Sequence, residues 1–236
     1  MIRVFIGFDQ HEAAAAYVLA HSIHERSSQP VEFCFINRKM LQEVYTRERS
    51  PLDSTDFSTS RFLVPYLCNY EGWALFVDCD MLCLDDIAKL WALRDERCSV
   101  QVVKHNYVPK ETTKFLGAVQ TKYNMKNWSS VMLFNCADCK DLSPEYVNTA
   151  HGLDLHQFKW AGAIGELPAT WNHLVGVYEK SPDAAMVHYT LGGPYFTETK
   201  DCDYNEQWFS DRDTAFAVSQ TSDLRTAKSN DAPCGR

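Results

Sequence analysis

Apolar positions along the chain switch between a period of two and one of 3.6 residues, and each switch marks an element. Arg3 to Phe8 is a short apolar run and reads as a strand. From His11 to Arg26, Ala14, Ala15, Val18, Leu19 and Ile23 recur at helical spacing. Val31 to Ile36 reads as a second strand. Strand, helix and strand with short joints signal a parallel α/β sheet. A polar stretch from Asn37 to Thr59 predicts a loop with room for one short helix. Arg61 to Tyr70 returns to helical spacing through Phe62, Leu63, Tyr66 and Leu67, and Gly72 ends it.

Trp73 to Val77 is the next strand, and it runs straight into Asp78 and Asp80. Asp85 and Asp86 are placed to cap a helix carrying Ile87, Leu90, Trp91 and Leu93. Ser99 to Val103 and Val131 to Phe134 read as strands, the latter ending at Asn135. Residues 104–127 show no clear period. Ser143-Pro144-Glu145 opens a short helix over 142–150, with the proline in its first turn. The chain is then irregular until a short strand from Ala184 to Val187, which ends at His188. A closing helix is expected over 206–218. From Gln220 the composition of Ser, Thr, Asp, Asn, Lys and Gly predicts a disordered tail. Neither a repeat nor an internal linker interrupts the rest, so residues 1–219 read as one domain.

The two aspartates after the Trp73 strand pose a physical problem. Side chains of an extended chain alternate faces, so Asp78 and Asp80 point the same way and Cys79 the other. Two like charges on one face repel, and a cation, a shared proton or open water must offset them. Asp9, Asn135 and His188 also follow apolar strands, and in open α/β sheets ligands gather beyond the carboxyl ends of strands. These residues together argue for a site. Two carboxylates and an imidazole suit a divalent cation, with the imidazole favouring Mn²⁺ over Mg²⁺.

Bulk properties narrow the classes. The 236 residues carry a net charge of −8, which disfavours a nucleic-acid partner. No apolar run approaches the length of a membrane span, so any contact with a membrane would be peripheral. The first residues read as a strand without a secretory signal's apolar stretch. Nine cysteines, mostly inside apolar runs, suit reduced buried thiols, and with the missing signal they predict a cytoplasmic protein. The lone CxxC, Cys136 and Cys139, lacks the second pair that a zinc site needs. There is no GxxxxGK[ST] and no GxGxxG after the first strand, which removes a P-loop and a standard dinucleotide fold. Haloacid-dehalogenase-type phosphatases also carry DxD after a strand, but near the chain start and with Thr or Val where this chain has Leu82.

In order along the chain, FIGFD, STSRFLVPYL, LFVDCDMLCLDDI, WSSVMLFN, LPATWN and HYTLGGPYF resemble the GT-A glycosyltransferases. The resemblance is strongest to glycosyltransferase family 8, which includes glycogenin and bacterial lipopolysaccharide galactosyl- and glucosyltransferases, and to a group of bacterial proteins of similar length. It covers residues 1 to about 210. It implies a single GT-A (Rossmann-like) α/β domain with a mixed, mostly parallel sheet flanked by helices. The implied activity is transfer of a sugar, with retention, from a UDP-sugar or other nucleotide-diphosphate sugar to a saccharide acceptor, as in surface polysaccharide synthesis. A nucleotide-sugar binding protein without turnover is the alternative.

The resemblance also implies residue roles. Asp78, Asp80 and His188 match the ligands of Mn²⁺ (or Mg²⁺), with Cys79 between the acids. Asp9, after Phe8, matches an acidic residue near the base and ribose. Gly192 and Gly193 match a loop approaching the diphosphate. Arg61 matches an arginine close to the donor sugar, and its alternative is a helix-face salt bridge. Gln157 falls under the sugar's reacting face, where its amide oxygen would steady a short-lived cation, with Asp154 the stronger base nearby. Trp160, Trp171 and Tyr195 form either a sugar-stacking platform or plain core. The chain departs from the pattern at Glu12, where an aromatic residue is common, and at Trp128-Ser129-Ser130 in place of Asn-Ser-Gly. It departs again at His156, which replaces an acid, and at Pro194-Tyr195, which lacks the preceding lysine.

Overall fold

A computed structural model describes residues 1–50, 53–106 and 125–217. Its main sheet contains β1 (Ile2–Gly7), β2 (Val31–Ile36), β3 (Trp73–Val77), β5 (Val100–Val102), β6 (Val131–Asn135) and β7 (Ile164–Glu166). Their order is β2-β1-β3-β6-β5-β7. All pairs are parallel except those of β6, which runs antiparallel to both β3 and β5. The sheet is therefore mixed and mostly parallel, as expected. The expected tail and the end of the expected closing helix lie outside the described residues.

Burial explains the strand order. The central strands β3 and β6 are apolar without alternation because both faces are covered. Edge strand β2 alternates, with Glu32 and Cys34 outward and Phe33 and Phe35 half-buried. Each fully buried Leu, Ile or Phe contributes roughly 1.5–3 kcal/mol. This core holds Ile6, Leu75, Phe76, Val77, Leu133 and Phe134. Trp160 and Trp171 also belong to it, each 4% exposed, so the proposed stacking platform is reduced to core for these two residues. Trp160 Nε1 donates to the carbonyl of Leu155 at 3.0 Å.

Helix α1 (Ala13–Arg26) follows one 3₁₀ turn, Gln10–Glu12. It buries Ala15, Ala16, Val18, Leu19, Ser22 and Ile23, and leaves Ala14 exposed. The predicted helix over 61–70 is shorter than its periodicity suggests. It consists of a 3₁₀ turn, Ser60–Leu63, and a single α-turn, α2 (Val64–Leu67), with Pro65 in its first turn. Helix α3 (Ile87–Trp91) starts as read, with Asp86 accepting from the amide of Ala88. Helix α4 (Pro144–Thr149) starts at its Ser143 cap.

A second, three-stranded sheet was not legible in the sequence. It pairs β4 (Met81–Cys83) antiparallel with β9 (Met186–His188), and β9 parallel with β8 (His173–Leu174). The chain leaves the main sheet at Val77 and enters this one at Met81. Asp78-Cys79-Asp80 is the link between the two sheets. Helix α6 (Asn205–Ala215) then packs on α1, burying Trp208 and joining Asp211 to Arg26 through two bonds of 2.8 and 2.9 Å.

Candidate metal centre

The change of sheet fixes both aspartates. The amide of Asp78 donates to the carbonyl of Ser130 at 3.0 Å, continuing the β3–β6 ladder by one bond. The carbonyl of Asp80 accepts from the amide of Tyr189 at 2.8 Å, which starts the β4–β9 ladder. Met81 lies opposite His188 in that ladder, so the imidazole arrives beside the carboxylates. His188 Nε2 lies 3.3 Å from Asp80 Oδ2. Ligand atoms of Asp78, Asp80 and His188 all lie within 4.8 Å of one another, the only such group among the described residues. All three side chains are buried.

Arg61 is also buried and pairs with the same acid. Its guanidinium meets Asp78 Oδ1 at 2.6 Å and donates to the carbonyl of Ser129 at 2.8 Å. The rings of Phe57 and Phe76 flank it at 5.1 and 5.0 Å. Arg61 thus pairs with the DxD itself, not with a residue on a helix face as in the alternative reading. Burial raises the pKa of Asp78 even though Arg61 opposes that shift and Asp80 adds to it. One arginine therefore leaves the carboxylate pair short of positive charge. Two carboxylate oxygens and one imidazole nitrogen form a ligand set that suits Mn²⁺ or Mg²⁺.

The other expected residues divide. Asp9 uses both oxygens on the chain itself: one accepts from the amide and ring of His11 at 2.9 Å, the other from the amide of Asp56 at 3.0 Å. Phe8 belongs to a half-exposed aromatic group with Tyr17 and Phe35. Cys79 is fully buried, with its thiol 4.0 Å from the carboxyl of Glu12. Asn135 must be corrected. Because β6 runs antiparallel, Asn135 lies opposite Trp73, at the far end of β3, and donates to Asp138 instead. The 3₁₀ turn Trp128–Ser130 that leads into β6, through Ser129 and Ser130, is what lies next to the acids.

Helix α5 (Gly152–His156) carries the remaining candidates. Gln157 is its C-terminal cap. Asp154 lies at the surface, ion-paired with Lys159 at 2.6 Å. His156 is bonded through Nδ1 to the hydroxyl of Ser129 at 2.8 Å, which ties the end of this helix to the residue that holds Arg61. Gly192 has φ +114°, a backbone that favours glycine. A Cβ on Gly193 would lie 2.2 Å from the ring of Tyr195. That ring packs on Trp208 and its hydroxyl is anchored elsewhere, so it has little freedom to shift. Gly193→Ala is expected to cost about 1–3 kcal/mol in urea denaturation, and an unchanged midpoint would mean the ring moves freely.

Glu12 was noted in the sequence only as a departure from an aromatic position. It is 2% exposed, and its carboxyl accepts from the hydroxyl of Tyr195 at 2.7 Å. Burial, with repulsion from Asp80, pushes its pKa up to about 8 from an ordinary 4.5. Between these values the folded chain keeps a proton that the unfolded chain releases, so stability falls as pH rises through this window. Glu12→Gln removes that slope. In metal-stripped protein the variant should match the wild type near pH 4.5 and exceed it by on the order of a few kcal/mol near pH 8. A difference independent of pH would contradict this.

Comparison with known proteins places the chain. No protein-family model matches it. Protein CDI of Arabidopsis thaliana is 49% identical over 220 residues, covering 89% of this chain and 85% of the plant protein. The chain belongs to the Protein CDI family. Among solved structures, the galactosyltransferase LgtC in complex with donor and acceptor sugar analogs matches with a TM-score of 0.61 at 14% identity, over 93% of this chain and 98% of LgtC. The glycosyltransferase GlyE of Streptococcus pneumoniae TIGR4 matches at 0.60 and 13% identity, over 90% of this chain and 61% of GlyE. The fold of this Protein CDI relative is thus that of the GT-A glycosyltransferases, not that of a haloacid-dehalogenase-type phosphatase. No helix among its described residues is long and apolar enough to cross a membrane.

Proposed function

We propose that the protein is a metal-dependent glycosyltransferase that moves a hexosyl group from a nucleotide-diphosphate sugar to a saccharide acceptor. The observation that carries this reading is the Asp78, Asp80 and His188 cluster, built where two sheets of a GT-A fold meet. LgtC, with the same fold, takes donor and acceptor sugar analogs. Mn²⁺ or Mg²⁺ held by the cluster would supply Lewis-acid stabilisation of the departing diphosphate. Arg61 opposes the effect of burial on Asp78 and holds its carboxylate in place. Gly192 and Gly193, in the loop after His188, are the proposed backbone neighbours of the diphosphate, with the space beside Gly193 filled by the Tyr195 ring.

UDP is the proposed leaving group, with Phe8 and the end of β1 beside the nucleoside. Asp9 orients that end through its bonds to His11 and Asp56. Gln157 is the proposed neighbour of the sugar carbon, and its amide oxygen suits a cation-like centre better than a covalent bond. Asp154 remains a base only if Lys159 releases it. Retention of configuration and a cytoplasmic location complete the proposal, the latter supported by described cysteines that are all free thiols.

Release of UDP from UDP-hexoses in Mn²⁺, with and without saccharide acceptors, tests the activity. The expected result is slow hydrolysis alone and faster release with an acceptor. Binding without any release would favour a nucleotide-sugar binding protein, a reading that the ion-paired state of Asp154 supports.

A further inference from the structure

Asn172, the last residue of LPATWN, is completely buried and touches the metal cluster from behind. It closes the 3₁₀ turn Ala169–Asn172 that leads into β8, and β8 pairs with β9 so that Leu174 lies opposite His188. Its amide nitrogen donates to the carbonyl of Asn127 at 3.1 Å. A carbonyl can only accept, so this bond decides which way the amide faces. The amide oxygen is thereby turned to His188 Nδ1, at 2.9 Å. An amide oxygen can only accept, so Nδ1 must carry the proton.

We infer that Asn172 is the positioning residue of the metal centre: by holding the proton on His188 Nδ1, it presents Nε2 to the cation. This rests on the metal reading above. An imidazole free to change tautomer would present N–H to the cation part of the time, and a ring free to rotate would leave Asp80. Asn127 takes part at one remove. Its backbone is left-handed at φ +61°, and this conformation aims its carbonyl into the core.

The test compares Asn172→Leu with Asn172→Asp in the full chain. Both lose the bond to Asn127, but only leucine loses the acceptor for Nδ1. Manganese affinity is read from the spin-resonance signal of free Mn²⁺, and the tautomer from nitrogen NMR of ¹⁵N-histidine-labelled, metal-free protein, with His188→Gln assigning the signal. The expected result is 10–100-fold weaker Mn²⁺ binding for the leucine variant, a lost preference for Nδ1–H, and near wild-type behaviour for the aspartate variant. Equal affinity in all three proteins, or equal loss in both variants, would overturn the inference while leaving the metal site standing. Absence of Mn²⁺ binding by the wild type would instead overturn the metal reading and this inference with it. If the leucine variant does not fold, the wild type decides: a bare Nδ1 on His188 overturns the inference, and a protonated one upholds it.

Discussion

Asp80→Asn is expected to reduce metal-dependent transfer by about 10²–10³-fold without weakening the fold. The substitution removes one anionic ligand and keeps its shape. In the metal-free protein that charge is a burden: Asp80 raises the pKa of both Asp78 and Glu12 through repulsion. Losing it should leave the melting temperature unchanged or higher. Turnover at saturating Mn²⁺, paired with calorimetric melting of the stripped protein, checks both halves. Activity and stability falling together would mean Asp80 is a structural acid, and wild-type turnover would remove it from the site.

Arg61→Met should show the opposite pattern. Methionine fills the slot between Phe57 and Phe76 but leaves Asp78 as a buried, poorly compensated charge. Breaking one side of such a pair typically costs 3–5 kcal/mol. Because a divalent cation would sit against the same carboxylate, Mn²⁺ should restore part of the loss and raise the melting temperature of the variant more than that of the wild type. Arg61→Lys should recover only part of the difference, since a compact ammonium does not reproduce the planar guanidinium held over the Phe57 and Phe76 rings, whose Nη1 reaches both Asp78 and the Ser129 carbonyl. A variant as stable as the wild type would show that the pair contributes nothing net.

Most of the main sheet was legible because its strands are apolar runs ended by Gly, Asp or Asn, and β1, β2, β3 and β6 lie close to where those runs place them. The three ligands were legible for a related reason: charge directly after a buried strand is costly unless something uses it. Strand direction was not legible. Periodicity reports which faces are buried, not which way the chain runs, so Asn135, though correctly read as the end of β6, was placed beside the acids when it lies opposite the start of β3. The second sheet was hidden because Met81–Cys83 is only three residues long and follows the acids without a turn signal. Glu12 stood out only as a departure from an aromatic position. Its importance comes from Cys79 and Tyr195, 67 and 183 residues away in sequence. Local patterns do not report such partners.

The central claim is that the two acids hold a cation for a nucleotide diphosphate. Calorimetric titration of UDP, GDP and CMP into the wild type and Asp80→Ala, each with and without Mn²⁺, tests it most directly. The account predicts that a nucleotide, UDP by this reading, binds the wild type only with Mn²⁺ and does not bind the variant. Nucleotide binding that ignores both the metal and the substitution, or no binding under any condition, would contradict it.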